Sequence, residues 1–104
     1  MSVELETEIN VKEKIKEVVK EPGKYKVIFA NDNETPMDFV VLVLISIFRK
    51  PPQQAYDIMM SVHEKGRGIA GGPYSKEIAE TKAEKTMAFA RQNGYPLKVT
   101  FEKE

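Results

Sequence analysis

The sequence has no cysteine and a single histidine, His63. Without cysteine the chain can form neither a disulfide framework nor a thiolate metal site. One histidine is too few for a histidine-cluster metal site within one chain. We therefore expect no bound metal and no other cofactor.

Excess charge and long apolar segments are also missing. Lys plus Arg and Asp plus Glu number 16 each, so no net field steers the chain toward nucleic acid or anionic lipid. The longest mainly apolar run, Phe39 to Phe48, is too short to cross a bilayer, and the charged N-terminus lacks the apolar segment of a secretory signal. These absences predict a soluble, cytoplasmic protein with neither nucleic acid nor membrane as a partner.

The length of 104 residues fits one domain with a small core. Residues 1–23 mix acids, lysines and isolated aliphatics and end in Glu-Pro-Gly, a sequence that breaks regular structure. We predict a flexible, charged N-terminal extension there, although some of its aliphatics also fit an amphipathic helix. Residues 24–104 form the predicted core domain.

Hydrophobic periodicity and turn residues predict the element order β-α-α-β-α-β. The predicted fold class is α+β, with a three-stranded antiparallel sheet and three helices packed on one face. The predicted strands are Tyr25–Ala30, Ile69–Tyr74 and Tyr95–Phe101, and the predicted helices run over 36–48, over 52–64 and from a Ser75 cap to Gly94. We expect Ile78 to lie on the inward face of the third helix.

The segment from Asn31 to Val40 joins the first strand to the first helix. Thr35 fits an N-cap, Pro36 the first helical position and Asp38 the acid of a capping box. The consecutive Asx residues at 31–33 are more than a tight turn needs, which makes this segment a candidate for function.

The first helix is apolar on nearly all sides. A domain of this size can hardly cover such a helix completely. We therefore predict that part of its surface stays exposed, as a patch for a partner or for self-association.

No catalytic constellation stands out. His63 has no cysteine partner, and neither Ser61 nor Ser75 identifies a triad from spacing alone. The glycines between 66 and 72 precede no Lys-Ser/Thr pair, so they do not form a phosphate loop. Met59, Val62 and His63 on one helix, together with the Asx cluster, instead suggest an apolar pocket with a polar rim. Such a pocket suits a cationic amine attached to a hydrophobic side chain.

Several separated motifs resemble one family. Asn31-Asp32-Asn33 with Thr35-Pro36-Met37-Asp38-Phe39-Val40 resembles the N-D-D-x-T-P-M-E-F-V signature of ClpS adaptors. Met59-Met60-x-Val62-His63-x-x-Gly66, Ala79-Glu80-Thr81-Lys82 and Pro96-Leu97 match that family in order and spacing. The resemblance extends from Tyr25 to Glu102.

The resemblance implies a non-enzymatic N-end-rule adaptor with a fold like the C-terminal domain of the ribosomal stalk protein. Such adaptors bind the free α-amino group and the bulky side chain of an N-terminal Leu, Phe, Tyr or Trp. They dock on the N-domain of a Clp AAA+ ATPase (ClpA-like) and deliver the substrate for proteolysis. By this resemblance, the extension 1–23 engages the unfoldase.

The family's site residues carry over by position. The residues expected at the α-amine are Asn31, Asp32, Asn33 and His63. Those expected to line the side-chain pocket are Thr35, Met37, Val40, Met59, Val62 and Leu97, with Met59 in the place of the family's gatekeeper. The residues expected to face the ATPase are Glu77 and Lys82.

Two departures from the family pattern have consequences. Asn33 stands where the family usually has Asp, so the amine loses a charge-assisted hydrogen bond and we predict weaker binding. Leu42, Ile45 and Ile47 stand where relatives often carry polar residues, which predicts self-association or a further partner surface. Two alternatives stay open. Asn33 is compatible with a Clp ATPase regulator that redirects substrate choice and binds N-terminal residues weakly, and the stalk-protein-like fold is compatible with a ribosome-associated structural module.

Overall fold

A computed structural model describes residues 24–104; the predicted extension 1–23 lies outside the described residues. The elements are β1 (Tyr25–Ala30), α1 (Met37–Ser46), α2 (Pro52–Lys65), β2 (Arg67–Tyr74), α3 (Lys76–Gln92) and β3 (Lys98–Lys103). The predicted order and the α+β class are confirmed. Within the described part, no helix has the length and apolarity needed to span a membrane.

The sheet has the order β2-β1-β3, with β1 antiparallel to both neighbours. Val27 and Phe29 are fully buried in the main core against the helices, as alternation along a strand requires. Ile28, opposite Ile69 and Thr100, lies outside that core cluster although it is nearly buried. The sheet therefore packs its helices against the face that carries Val27 and Phe29.

Strand β2 is irregular where it pairs with β1. Val27 lies opposite Gly71, Tyr25 lies opposite Tyr74, and the register shifts on both sides of Val27. A side chain at Gly71 would run into the Tyr74 hydroxyl and the Phe48 ring. Because Gly71 has no side chain, Tyr74 can fold back over β2. The register shifts beside Val27 mark a β-bulge in this strand pair.

Helix α1 starts differently from the prediction. Pro36, in an extended conformation, is the N-cap and makes no side-chain cap hydrogen bond. The prediction of a Thr35 N-cap with an Asp38 capping box was wrong, because Asp32 accepts both the hydroxyl and the amide of Thr35 at 2.8 and 2.7 Å. Asp32, three residues upstream, therefore accepts the Thr35 amide that the Asp38 of a capping box would have accepted.

Helix α1 also ends two residues earlier than predicted. Ile47 is the C-cap, and Arg49 adopts a positive φ of 56°. The chain then turns so that the amide of Lys50 donates to the Leu44 carbonyl at 3.0 Å. Phe48 is buried edge-on against Phe29, with ring centroids 5.5 Å apart.

Helices α2 and α3 largely follow their sequence patterns. Ala55, Met59 and Val62 are buried, and Gly66 ends α2 at φ 89°. The Ser75 hydroxyl accepts the Ile78 amide at 3.2 Å, which confirms the predicted cap. The inward position predicted for Ile78 was wrong, since its side chain is 50% exposed.

The face that α3 buries consists of small residues one turn apart. Its buried members are Ala79, Ala83, Thr86 and Ala90. Strand β3 starts at Lys98 rather than Tyr95, because the Tyr95 amide still donates to the Ala90 carbonyl at the end of α3.

Candidate functional site

The candidate site is a cavity of about 300 Å³ between the start of α1 and the end of α2. We call it the α1–α2 cavity. The residues that line it are Asn31, Asp32, Asn33, Thr35, Pro36, Met37, Val40, Met59, Val62 and His63. All the residues expected at the amine, and all but one of those expected in the side-chain pocket, are thus brought together.

Asp32 fixes the loop that forms one wall. Its Oδ1 accepts the amides of Glu34 and Thr35 at 2.8 and 2.7 Å, and its Oδ2 accepts the Thr35 hydroxyl at 2.8 Å. The Asn31 amide donates to the Gly66 carbonyl at 3.0 Å, which ties the loop to the end of α2. A carboxylate has about four lone-pair sites, so most of the capacity of Asp32 is used in holding this loop.

The interior of the cavity is apolar. Val40, Met59 and Val62 are about 95% buried, so they form a fixed floor that belongs to the core. Met37 in the first turn of α1 is 43% exposed and lies at the mouth. An apolar group that entered would leave water for contact with these four side chains, which favours binding.

The polar rim consists of Asn31, Asn33 and His63, all of them exposed. Within the described residues, none of these side chains takes part in a hydrogen bond with the protein. Two amide oxygens and one imidazole nitrogen are therefore free to accept hydrogen bonds. Hydrogen-bond acceptors above an apolar floor suit a ligand in which N–H donors are attached to a hydrophobic group.

Comparison with known proteins identifies the family of the chain. The family model for the ATP-dependent Clp protease adaptor protein ClpS matches residues 20–100. The chain belongs to the ClpS family. It is thus a member of a family of adaptors of the ATP-dependent Clp protease.

Individual ClpS proteins resemble the chain over most of its length. The ClpS adapter of Oleidesulfovibrio alaskensis is 51% identical over 88 residues, which are 85% of this chain and 84% of that protein. The ClpS adapter of Bdellovibrio bacteriovorus is 55% identical over 83 residues, 80% of this chain and 72% of that protein.

A solved ClpS structure has the same fold. Agrobacterium tumefaciens ClpS2, bound to L-phenylalaninamide, matches with a TM-score of 0.75 and 36% identity, over 80% of this chain and 99% of that one. The predicted three-stranded sheet with three helices is thereby confirmed against a solved ClpS structure.

Leu97 is the expected ClpS pocket residue that does not line the α1–α2 cavity. It is buried before β3 and lines a separate cavity of about 460 Å³ with Glu34 and the end of α3. Pro36, in contrast, lines the α1–α2 cavity although the sequence assigned it only to the helix start. The sequence could have indicated this, because both neighbours of Pro36, Thr35 and Met37, were themselves expected in the side-chain pocket.

The expected ATPase-facing residues share a third cavity of about 500 Å³, which we call the α1–α3 cavity. Its lining residues are Ile47, Glu77, Ile78, Thr81, Lys82 and Lys85. Lys82 is partly buried, and its Nζ donates to the Ile47 carbonyl at 3.1 Å. The same Nζ lies 5.6 Å from the ring centroids of both Phe48 and Tyr74. Lys82 therefore has a structural role at the end of α1, which the sequence did not predict.

The apolar departures from the ClpS pattern lie at the surface of α1. Leu42 is 49% exposed and Ile45 is 36% exposed, whereas Ile47 is half-buried beside the α1–α3 cavity. The predicted exposure of part of this helix is confirmed. Whether it mediates self-association stays a prediction.

Proposed function

We propose that this ClpS-family chain binds the free α-amino group and the bulky side chain of a peptide's N-terminal Leu, Phe, Tyr or Trp. It delivers the bound protein to a Clp AAA+ unfoldase. The observation that carries this proposal is the α1–α2 cavity, where an apolar floor lies beneath a rim of hydrogen-bond acceptors.

The size of the cavity favours a single side chain. Pockets for small molecules usually measure about 300–1,000 Å³, and this one lies at the lower limit. Burying one large side chain on Val40, Met59 and Val62 contributes about 1.5–3 kcal/mol. Met59 stands in the position of the family's gatekeeper, so a side chain branched at Cβ should bind less well.

The rim supplies acceptors for an α-ammonium, which has three N–H donors. Asn31, Asn33 and a neutral His63 provide one acceptor each. The Asp32 carboxylate places a negative charge beside these acceptors, which favours a cation. Agrobacterium tumefaciens ClpS2 was solved with L-phenylalaninamide, a ligand that combines an amine with an aromatic side chain. This supports the same ligand class here.

The decisive experiment is a binding titration with a Leu-initiated peptide, free and N-acetylated. We expect acetylation to weaken binding at least 10-fold, because it removes the charge and two of the three donors. His63→Ala should weaken binding of the free peptide, whereas Gln54→Ala, at an exposed position of α2 outside the cavity, should not. Equal affinity for the two peptides would overturn the proposal.

Asn33 favours a second candidate, a Clp ATPase regulator that binds N-terminal residues weakly. An amide oxygen accepts without charge assistance, which is worth about 1 kcal/mol per bond. Asn33→Asp should therefore tighten binding of the free peptide about fivefold. If the free peptide does not bind but the chain still binds a Clp ATPase N-domain, the regulator is the better description.

Docking on the N-domain of the ATPase is the second half of the proposal. Glu77 is exposed at the start of α3 and, like Lys82, lines the α1–α3 cavity. Charge reversal at Glu77 should weaken binding to the isolated N-domain, and reversal at exposed Glu84, which does not line this cavity, is the matched control. Equal effects of the two reversals would argue against this docking face.

A further inference from the structure

The cavity that contains Leu97 lies outside the proposed α-amine site. We call it the α3–β3 cavity; it measures about 460 Å³ and lies between the loop before α1 and the segment that joins α3 to β3. Met87, Tyr95 and Leu97 give it an apolar interior, and Glu34 and Arg91 place one charge of each sign in its lining.

One loop separates this cavity from the α1–α2 cavity. Asn33 and Thr35 line the α1–α2 cavity, whereas Glu34 between them lines the α3–β3 cavity. The Asp32 carboxylate binds the amides of Glu34 and Thr35, so the backbone that produces this alternation is held in place. The two cavities therefore lie on different sides of this loop.

The interior of the α3–β3 cavity is built into the fold. The Tyr95 ring packs against Phe39 of α1 at a centroid distance of 4.8 Å. Gly94, at φ 79°, and the Tyr95 amide close the end of α3 by donating to the carbonyls of Arg91 and Ala90. Tyr95 is thus anchored to the helix whose first turn forms the α1–α2 cavity.

The two charges of the α3–β3 cavity have no partner within the described residues. The ion pairs among those residues join Glu102 to Lys26 and to Arg67, on another part of the molecule. Glu34 and Arg91 are both exposed and form no salt bridge with a described residue. Each can therefore interact with an opposite charge on a ligand.

We infer that the α3–β3 cavity receives the second or third residue of the peptide whose N-terminal residue occupies the α1–α2 cavity. This rests on the proposed function. An extended peptide advances about 3.3 Å per residue. One or two residues beyond the α-amine are therefore enough to pass over the backbone of the 33–35 loop. An apolar side chain packs on Met87, Tyr95 and Leu97, and a charged one is selected by Glu34 and Arg91.

The test uses leucinamide and peptides of the form Leu-X-X-Ala-Ala in which X-X is Asp-Asp, Lys-Lys or Ala-Ala. The measured quantity is the ratio of the dissociation constants of the Asp and Lys peptides. Arg91→Glu makes both lining charges negative, so we expect the ratio to rise about 10-fold at low salt. Glu34→Lys makes both positive and should lower the ratio by a similar factor.

Lys98→Glu is the matched control, because Lys98 is exposed on β3, lines neither cavity, and changes the net charge as Arg91→Glu does. Ratios that shift in opposite directions in the two cavity variants, with little change in the control, support the inference. A ratio that Arg91→Glu moves no more than the control would overturn it, provided that leucinamide still binds. If neither leucinamide nor any peptide binds the wild-type chain, the proposed function fails and the inference fails with it.

Discussion

Replacing Lys82 with methionine should destabilise the domain even when no partner is present. Methionine keeps an unbranched apolar chain like the aliphatic stem of lysine. It lacks the ammonium that donates to the Ile47 carbonyl at 3.1 Å. It also removes the cation that lies 5.6 Å from the rings of Phe48 and Tyr74. Both contacts hold the end of α1 against α3 and β2.

The expected loss can be worked out from these contacts. A hydrogen bond from a charged donor contributes about 1.5–3 kcal/mol, and a cation–π contact about 0.5–1 kcal/mol at an accessible site. The ammonium also lies at the C-terminus of α1, where the helix dipole favours a cation. Because Lys82 is only partly buried and water screens it, we expect a total of about 1–3 kcal/mol.

Urea denaturation followed by circular dichroism measures this loss, and thermal melting should show a shift of about 4–8 °C for each kcal/mol. Lys85→Met is the matched control. It makes the same chemical change in the same cavity, but Lys85 is exposed and donates to no described residue. Equal denaturation midpoints for the two variants would refute the structural role of Lys82.

The result also decides how Lys82 variants are interpreted in docking experiments. By resemblance to the ClpS family, Lys82 is expected to face the ATPase. If its removal loosens the end of α1, weaker docking of a Lys82 variant reports on the shape of the surface as well as on a lost contact. Glu77, which makes no side-chain hydrogen bond with the described residues, is the clearer probe of direct contact.

Three further changes have definite expected results. Gly71→Ala places a methyl group against the Tyr74 hydroxyl and the Phe48 ring, so it should cost about 1–3 kcal/mol in urea denaturation, and an unchanged midpoint would contradict the packing described. Burial raises the pKa of Tyr74, so the unfolded chain loses that proton first and stability falls as pH rises above about 10. Tyr74→Phe should reduce this alkaline loss of stability, whereas Tyr56→Phe, at a 50% exposed position, should leave it unchanged. The measurement is the midpoint of urea denaturation between about pH 9 and 11. Leu42→Asp should lower the apparent mass in light scattering at high concentration if α1 mediates self-association, and a wild-type monomer would refute that prediction.

Local patterns in the sequence predicted the helices and the central strand well. The Ser75 cap, the glycine at the end of α2 and its buried Ala55, Met59 and Val62 all follow from spacing within a single turn or two. Such features depend on neighbours in sequence, so the sequence contains the information needed to predict them.

Predictions failed where two residues competed for the same hydrogen bonds or where distant segments met. Asp32 and the predicted capping-box residue Asp38 could each accept the Thr35 amide, and only the folded loop shows that Asp32 does so. Lys82 and Ile47 are 35 positions apart, so no local pattern could have paired them. Leu97 was placed by family resemblance, and the packing of the segment after α3 determines which cavity it lines.

The residues that seemed surplus to a turn divide into distinct roles. Asp32 holds the loop by three hydrogen bonds, which leaves Asn31 and Asn33 free to face the α1–α2 cavity. Because its carboxylate already accepts these bonds, Asp32 can offset the missing acid at position 33 through its charge more than through new contacts with an amine. The fixed loop also directs Glu34 to the opposite side, into the α3–β3 cavity. In the proposed function, the strength of N-terminal recognition and any preference for the residues that follow it would therefore depend on the same short loop.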